Sequence, residues 1–356
     1  MLHLDNLGTA TYRKIIRPII FRKTRHDPED AHDWVLNTLR DWGNSPRRLQ
    51  LIRNVFRPVN APVDVFNIRF PNRVGLAAGY DKNAVALAAW PALGFGFCVV
   101  GTVTKNQQTG NPRPRQFRLD KDDAVINRMG FNNDGVSAIA ARLAGYPQHP
   151  IPIWVSIGKS AATKLEDAPI EYYELARELW PFADVIEVNV TSPNTPGLRN
   201  LLEQKPLSDI LQAVQSANCE RAGQGMGKPI VLKLSPDSSE SALYQQIEVA
   251  LGNGINGFTA TNTTVRRGPF SLASGNALTS EAGGLSGRPL YNFALDAVRF
   301  VHRATNGLTP IVAAGGIGSA DDAKRMVDSG AALIQIFTGL VYNGPYLIRT
   351  LARKLK

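Results

Sequence analysis

The stretch PIVAAGGIGSADDAKRMVDSGAALIQIFTG (310–339) opens on an apolar run, PIVAA (310–314), and breaks into the glycines of GGIGS. It continues through the polar, helix-like DDAKRMVDSG and closes on a second apolar run, LIQI (333–336), which ends in Phe337-Thr338-Gly339. A buried strand, a glycine turn, a helix and another buried strand make one unit of a parallel α/β sheet. The same alternation recurs towards the N-terminus. The further runs are VGLA (74–77), FCVVG (97–101), IWVSI (153–157), VIEVNV (185–190), IVLKL (230–234) and GFTAT (257–261), with helix-like stretches such as IEYYELAREL, LSDILQAVQSA and SESALYQQIEVAL between them. Each run reads as β-branched or apolar through its length, as strands covered on both faces should be. Eight such units predict the α/β class and a closed (β/α)8 TIM barrel. A doubly wound open sheet is the rival, which eight regular units disfavour.

The barrel does not use the whole chain. Before it, VDVFNIRF reads as one short alternating strand turned by Pro71-Asn72. Further upstream, Asp27-Pro28-Glu29-Asp30 reads as a helix start, with Asp27 as N-cap and Pro28 in the first turn. That helix carries Ala31, Trp34, Val35 and Leu39 on its apolar side and stops near Gly43. From Tyr12 to His26, six cations stand without an acid (Arg13, Lys14, Arg17, Arg22, Lys23 and Arg25), interleaved with Ile15, Ile16, Ile19 and Ile20; Pro18 should kink or break this stretch. Residues 1–50 therefore form a small helical extension, and 51–356 the barrel.

Composition narrows the classes. The chain has 356 residues, 44% of them hydrophobic, which excludes a disordered chain. Cys98 and Cys219 cannot make a disulfide framework, and no CxxC pair suggests zinc or redox work. No apolar stretch reaches the ~18 residues a membrane span needs. The net charge of +10 permits nucleic acid, anionic lipid or an acidic small molecule, so its placement must decide.

Barrels of this kind put their chemistry on loops at the C-terminal ends of the strands. The first ends in AAGYDK, where Ala78 and Gly79 allow close backbone approach and Lys82 supplies a positive charge. The second ends in Gly101-Thr102 and leads into NPRPRQFRL and INRMGFNN, which bring Arg118, Asn127 and Phe131. The fourth ends in NVTSPNTPGLRN, with Asn189, Ser192, Asn194 and Thr195 in one loop; the fifth contains Lys233; the sixth ends in Thr261-Asn262-Thr263. Gly287 in GGLSGRPL and the glycines after the last two strands can form an anion cradle from exposed backbone N–H groups. The alternative is that they merely end strands.

Asn127, Asn189, Asn194 and Asn262 offer uncharged donors and acceptors that suit a flat imide or pyrimidine ring, although each alone is an ordinary turn former. Ser192 is a turn residue or a base. None of His3, His26, His32, His149 and His302 falls at an expected strand end, which disfavours a Ser-His-Asp hydrolase, and no ligand cluster points to a metal.

In order along the chain, AAGYDK, GTVT, GNPRPRQFRL, INRMGFNN, NVTSPNTPGLR, ATNTT, GGLSGRPL and GGI resemble the motifs of the class 2 dihydroorotate dehydrogenases, from DPEDAH to the C-terminus. The resemblance implies one non-covalent FMN per chain, held by Ala78, Gly79, Tyr80, Asp81, Lys82, Thr102, Ser156, Asn189, Lys233, Thr261, Gly287, Gly316, Phe337 and Thr338. It implies dihydroorotate and orotate as ligands of Lys82, Asn127, Arg128, Met129, Gly130, Phe131, Asn189, Asn194, Asn262 and Thr263. Ser192 matches the base that takes the carbon-five proton, where class 1 enzymes have cysteine, and Thr195 and Phe131 shape the proton's exit. His32 and Arg118 match residues near the head group of a membrane quinone. Two positions depart from the family pattern: Ser156 stands where asparagine is usual, and Phe337 where tyrosine is common.

The expected setting is peripheral, on the cytoplasmic side of a bacterial inner membrane, with the mitochondrial inner membrane as alternative. The extension would meet an anionic leaflet, or else be an ordinary capping helix under the barrel. A monomer without nucleic acid is expected. A flavin-dependent reductase acting on RNA would place its basic residues around the catalytic face, and a membrane-surface binding protein would need neither Lys82, Ser192 nor the asparagines.

Overall fold

A computed structural model describes residues 2–146, 148–195, 197–268 and 272–356, with all their side chains except those of residues 2–6 and 276. Eight parallel strands close into a barrel: β1 (Val74–Leu76), β2 (Phe97–Val103), β3 (Ile153–Ile157), β4 (Val185–Val188), β5 (Ile230–Lys233), β6 (Gly257–Ala260), β7 (Ile311–Ala314) and β8 (Ala331–Ile336). Each strand pairs with its sequence neighbour, and β8 closes on β1. All eight apolar runs are strands, and the four quoted helix-like stretches lie on Ala168–Leu179, Gln204–Ala222, Glu240–Gly252 and Ala320–Asp328.

Side-chain alternation builds two cores from these strands. Ile186 and Val188, Ile230 and Leu232, and Ile334 and Ile336 face the helices, in the large outer core. Their neighbours Val185, Val231 and Leu333 face inward, where with Phe97, Val99, Trp154 and Val312 they fill the lower barrel. One step nearer the C-terminal ends the inward positions become polar: Ser156, Glu187, Lys233, Thr259 and Gln335, all buried. The runs are therefore not apolar throughout, because their upper inward positions belong to the site above.

Three elements decorate the barrel. VDVFNIRF is not one strand but a hairpin, Val63–Val65 against Ile68–Phe70. Phe66 and Asn67 both take positive φ (57° and 59°), the mirror-image two-residue turn that matches strand twist. Phe70 from this hairpin stacks edge-on to Phe97 and Trp154 and closes the barrel floor. At the opposite end, Gln116–Leu119, Ala124–Asn127 and Gly284–Gly287 pair as a three-stranded antiparallel sheet. Segments expected as loops thus form a folded cover over the barrel mouth.

The extension is helical. Its first helix runs from Leu2 to Lys23 with a π-helical turn at Tyr12–Ile16, where the Arg17 N–H reaches the Tyr12 carbonyl. Pro18 lacks an N–H and its ring crowds the carbonyl four residues back, so the turn widens instead of breaking. Asp27 caps Pro28–Gly43 by accepting from the N–H groups of Glu29 and Asp30. Leu36 rather than Trp34 is the large apolar side chain buried from that helix. A further helix, Pro46–Phe56, runs across residue 50.

Candidate active site

One cavity at the C-terminal mouth of the barrel is lined from strand ends and from the cover sheet. Of the FMN-matched residues it gathers Ala78, Gly79, Lys82, Thr102, Asn189, Lys233, Thr261, Gly287, Gly316, Phe337 and Thr338. Of the substrate-matched residues it gathers Lys82, Asn127, Met129, Gly130, Phe131, Asn189, Asn194, Asn262 and Thr263, with Ser192 and His32 on the same wall.

The amides are fixed by one another. Asn189 Nδ2 donates to Thr102 Oγ1 at 2.9 Å, Asn262 Nδ2 donates to Thr191 Oγ1 at 2.9 Å, and Thr191 Oγ1 donates to Asn189 Oδ1 at 3.0 Å. Asn194 Nδ2 donates to Asn127 Oδ1 at 3.2 Å, which joins the Ser192 loop to the cover sheet. Arg199 braces that loop. Its Nε donates to the Thr191 carbonyl at 3.2 Å, its Nη2 donates to the Thr263 carbonyl at 3.5 Å, and its Nη1 pairs with Asp237 at 2.9 Å. Ser192 is 5% exposed, and its Oγ accepts from the Asn194 N–H at 3.2 Å. Two nearby acceptors, Asn194 Oδ1 and Thr195 Oγ1, are buried without a partner among the described residues. Pro196 of this loop lies outside them.

Burial sets the charges. It lowers the Lys82 ammonium to about 8, against the pull of Glu29 and Asp33. It pushes His32 down to about 3, with the Lys82 charge adding to the effect, so His32 is a neutral ring. His32 packs against Tyr80 at 4.8 Å between centroids, and Tyr80 in turn meets Phe337 at 5.3 Å. His32 reaches the cavity from the extension, a placement that strand ends alone could not reveal.

Five matched side chains are not on the cavity wall. Tyr80 lies behind Phe337. Asp81 turns inward and accepts from the N–H groups of Val85 and Ala86 and from Trp90 Nε1, which fixes the loop that carries Lys82. Ser156 is fully buried and bonds Thr102 Oγ1 at 3.1 Å, so it reaches the cavity only through Thr102. Arg128 leaves the site to pair with Glu281 at 2.6 Å. Arg118 sits at the junction with the extension, donating to the His26 carbonyl at 2.6 Å, its guanidinium 3.5 Å from the Phe21 ring centroid. Conversely Gln116, Ser286, Leu290 and Gln335 line the cavity without having been singled out. For Gln335 the signal was available: it is a polar side chain at an inward position of a buried strand.

The cavity walls also suit a flat, phosphate-bearing cofactor. A Cβ on Gly287 would stand 2.3 Å from the Asp123 carbonyl oxygen, and one on Gly316 would stand 2.6 Å from Tyr291 Cβ. Both have positive φ (92° and 69°) and line the cavity, a glycine backbone wall of the kind whose N–H groups can receive an anion. Lys233 and the partnerless Gln335 Oε1 supply a cation and an acceptor deeper in.

The comparisons agree with this geometry. A family model described as dihydroorotate dehydrogenase matches residues 60–356. A relative from Salinispora arenicola, named dihydroorotate dehydrogenase (quinone), is 48% identical over 343 residues, 96% of this chain and 98% of its own. One of the same name from Chloroflexus aurantiacus is 47% identical over 97% of this chain and 96% of its own. Among solved structures, the Eimeria tenella DHODH in complex with ferulenol superposes with a TM-score of 0.85 at 35% identity, covering 92% of this chain and 90% of that one. With family model, relatives and barrel in accord over nearly its whole length, the chain belongs to the dihydroorotate dehydrogenases, in their quinone-dependent branch.

Proposed function

We propose that the enzyme oxidises (S)-dihydroorotate to orotate with Ser192 as the base, FMN as the hydride acceptor and a membrane quinone as the final oxidant, in pyrimidine biosynthesis. The observation that carries this is the convergence of Ser192, four asparagines and Lys82 on one cavity whose other walls are glycine backbone and Lys233. FMN would be held by the Gly287 and Gly316 backbone, Thr338, Thr102 and Lys233, and when bound it supplies a two-electron acceptor. Asn127, Asn189, Asn194 and Asn262 would hold the carbonyl and N–H groups of the substrate ring, and Lys82 its carboxylate.

Ser192 Oγ takes the carbon-five proton. Serine is a weak base by its own pKa, so it must be positioned and relieved of the proton promptly. The Asn194 N–H directed at its Oγ favours the deprotonated oxygen. The free acceptors at Asn194 and Thr195, together with Phe131 on the cavity wall, would offer the proton a way out. His32 and Arg118, contributed by or touching the extension, would border the quinone. Residues 1–50 would act as the quinone-access segment on an anionic membrane surface, and 51–356 as the catalytic barrel. The protein would sit peripherally on the cytoplasmic side of an inner membrane and act as a monomer; no helix among the described residues is long and apolar enough to cross a membrane.

The test is dihydroorotate oxidation by purified protein in mild detergent, with a short-chain ubiquinone and fumarate offered in parallel. Turnover with quinone alone is expected. Turnover with fumarate alone would remove the role given to the extension, and flavin-loaded protein inactive with both would reopen the substrate.

A further inference from the structure

Among the polar side chains in the upper layer of the barrel, Glu187 brings a carboxylate that no step above uses. It is fully buried. Its Oε1 lies 3.4 Å from Lys233 Nζ, and its Oε2 accepts from Thr259 Oγ1 at 2.8 Å and from Gln335 Nε2 at 3.5 Å. Lys233 and Gln335 line the cavity, whereas Glu187 sits just behind them. One layer below, Val185, Val231 and Val312 fill the equivalent inward positions. Packing alone would therefore be served by an apolar residue at 187. A carboxylate held away from water is costly unless it is paired and hydrogen-bonded, and here three side chains on three other strands converge on it.

We propose that Glu187 is a positioning residue for the cofactor site, holding the Lys233 side chain directed into the cavity while tempering its charge. The inference rests on the FMN reading above. The Glu187 carboxylate, 3.4 Å away, gives Lys233 Nζ a fixed partner at the base of the cavity. The carboxylate also offsets part of the positive potential that Lys233 would exert on a bound ring. A bare cation at this position would favour the electron-rich, reduced form of the ring. A paired one favours it less, leaving the electrons easier to pass on to a quinone.

The experiment uses the FMN-loaded enzyme at one fixed, mildly acidic pH. It reads the midpoint potential of the bound flavin and the affinity for sulfite, which adds to electron-poor flavins and bleaches their absorbance. Glu187→Gln removes the charge at nearly constant shape. It should tighten sulfite binding about tenfold and raise the potential by the tenfold equivalent of a two-electron couple, about 30 mV. Thr259→Val leaves Glu187 in place but takes away its closest hydrogen-bond donor, which loosens the carboxylate's alignment on Lys233. It should move both readouts the same way by a smaller factor. Unchanged values in a flavin-loaded Glu187→Gln enzyme would overturn the proposal. Should that variant fail to hold flavin, unchanged values in Thr259→Val would overturn it instead. Wild-type protein that binds no FMN would overturn the cofactor reading itself, an outcome distinct from either.

Discussion

Lys82 enters the cavity from a loop whose geometry Asp81 fixes by accepting three hydrogen bonds, and its burial sets its charge. Its ammonium is lowered from 10.5 to about 8, so in the free enzyme the charged form is lost as pH rises through that value. An anionic substrate needs the charged form. Initial rates at low dihydroorotate should therefore hold below pH 8 and fall about tenfold per pH unit above it, as a single titrating group dictates. At saturating substrate a carboxylate held by Lys82, as proposed, would raise the ammonium's pKa again, so kcat should persist to higher pH than kcat/KM. Coincident profiles would dissociate Lys82 from substrate binding. At Ser192 the expectation concerns chemistry alone: Ser192→Ala should retain the flavin while slowing its anaerobic reduction by dihydroorotate about 10²–10⁴-fold, the usual contribution of a positioned base. Reduction at the wild-type rate would remove Ser192 from that role. Both residues were legible because each stands at the end of an apolar run. Glu187 and Gln335 stand inside such runs instead, and only their spacing of two from the inward-facing Val185 and Leu333 marks them as facing the site.

Between elements, the decisive contact is a buried ion pair that no local pattern announces. Glu29, in the first turn of Pro28–Gly43, accepts from Arg115 Nη2 at 2.6 Å and from its Nε at 3.1 Å. Arg115 Nη1 in turn donates to the Asn111 carbonyl at 2.8 Å, and Asn111 Nδ2 donates to the carbonyls of Arg128 and Asn194. The extension is thereby tied to the cover sheet and, through it, to the Ser192 loop. The Asp27 cap could be read from sequence because its partners lie within three residues. The cover sheet could not, since Asn127 pairs with Gly284 across 157 positions. This connectivity separates two parts of the extension. Deleting residues 1–26 leaves the clamp whole and should cut quinone turnover at least tenfold while changing flavin reduction about twofold or less, as loss of a binding surface without loss of the catalytic geometry implies. Equal losses in both half-reactions would mark the segment as structural. Glu29→Gln should instead lower the melting temperature and raise KM for dihydroorotate, because breaking one partner of a buried pair costs about 3–5 kcal/mol.

For the molecule as a whole, the net charge of +10 gains a direction from the fold. The first helix docks one side on the barrel. Gly8 lies against the Tyr346 ring, Tyr12 donates to the Val341 carbonyl at 3.2 Å, and Arg13 pairs with Asp123 at 2.8 Å. The other side leaves Leu7, Ile15, Ile16 and Ile19 between 43% and 63% exposed, with Lys14, Arg22 and Arg25 exposed among them. Exposed isoleucines interleaved with cations suit the boundary between head groups and acyl chains, where both kinds of side chain find partners at once. Two contributions with different responses should follow. Co-sedimentation with vesicles containing anionic lipid should exceed that with neutral vesicles, and the excess should shrink as salt rises, since basic residues contribute about 1 kcal/mol each near such a surface and are screened within a Debye length of about 10 Å at 0.1 M. Replacing Ile15, Ile16 and Ile19 by serine should remove the salt-resistant remainder while leaving dihydroorotate-driven flavin reduction intact, because none of the three lines the cavity. Vesicle binding that is indifferent to both lipid charge and these isoleucines would leave the helix as a cap on the barrel and require another route for the quinone.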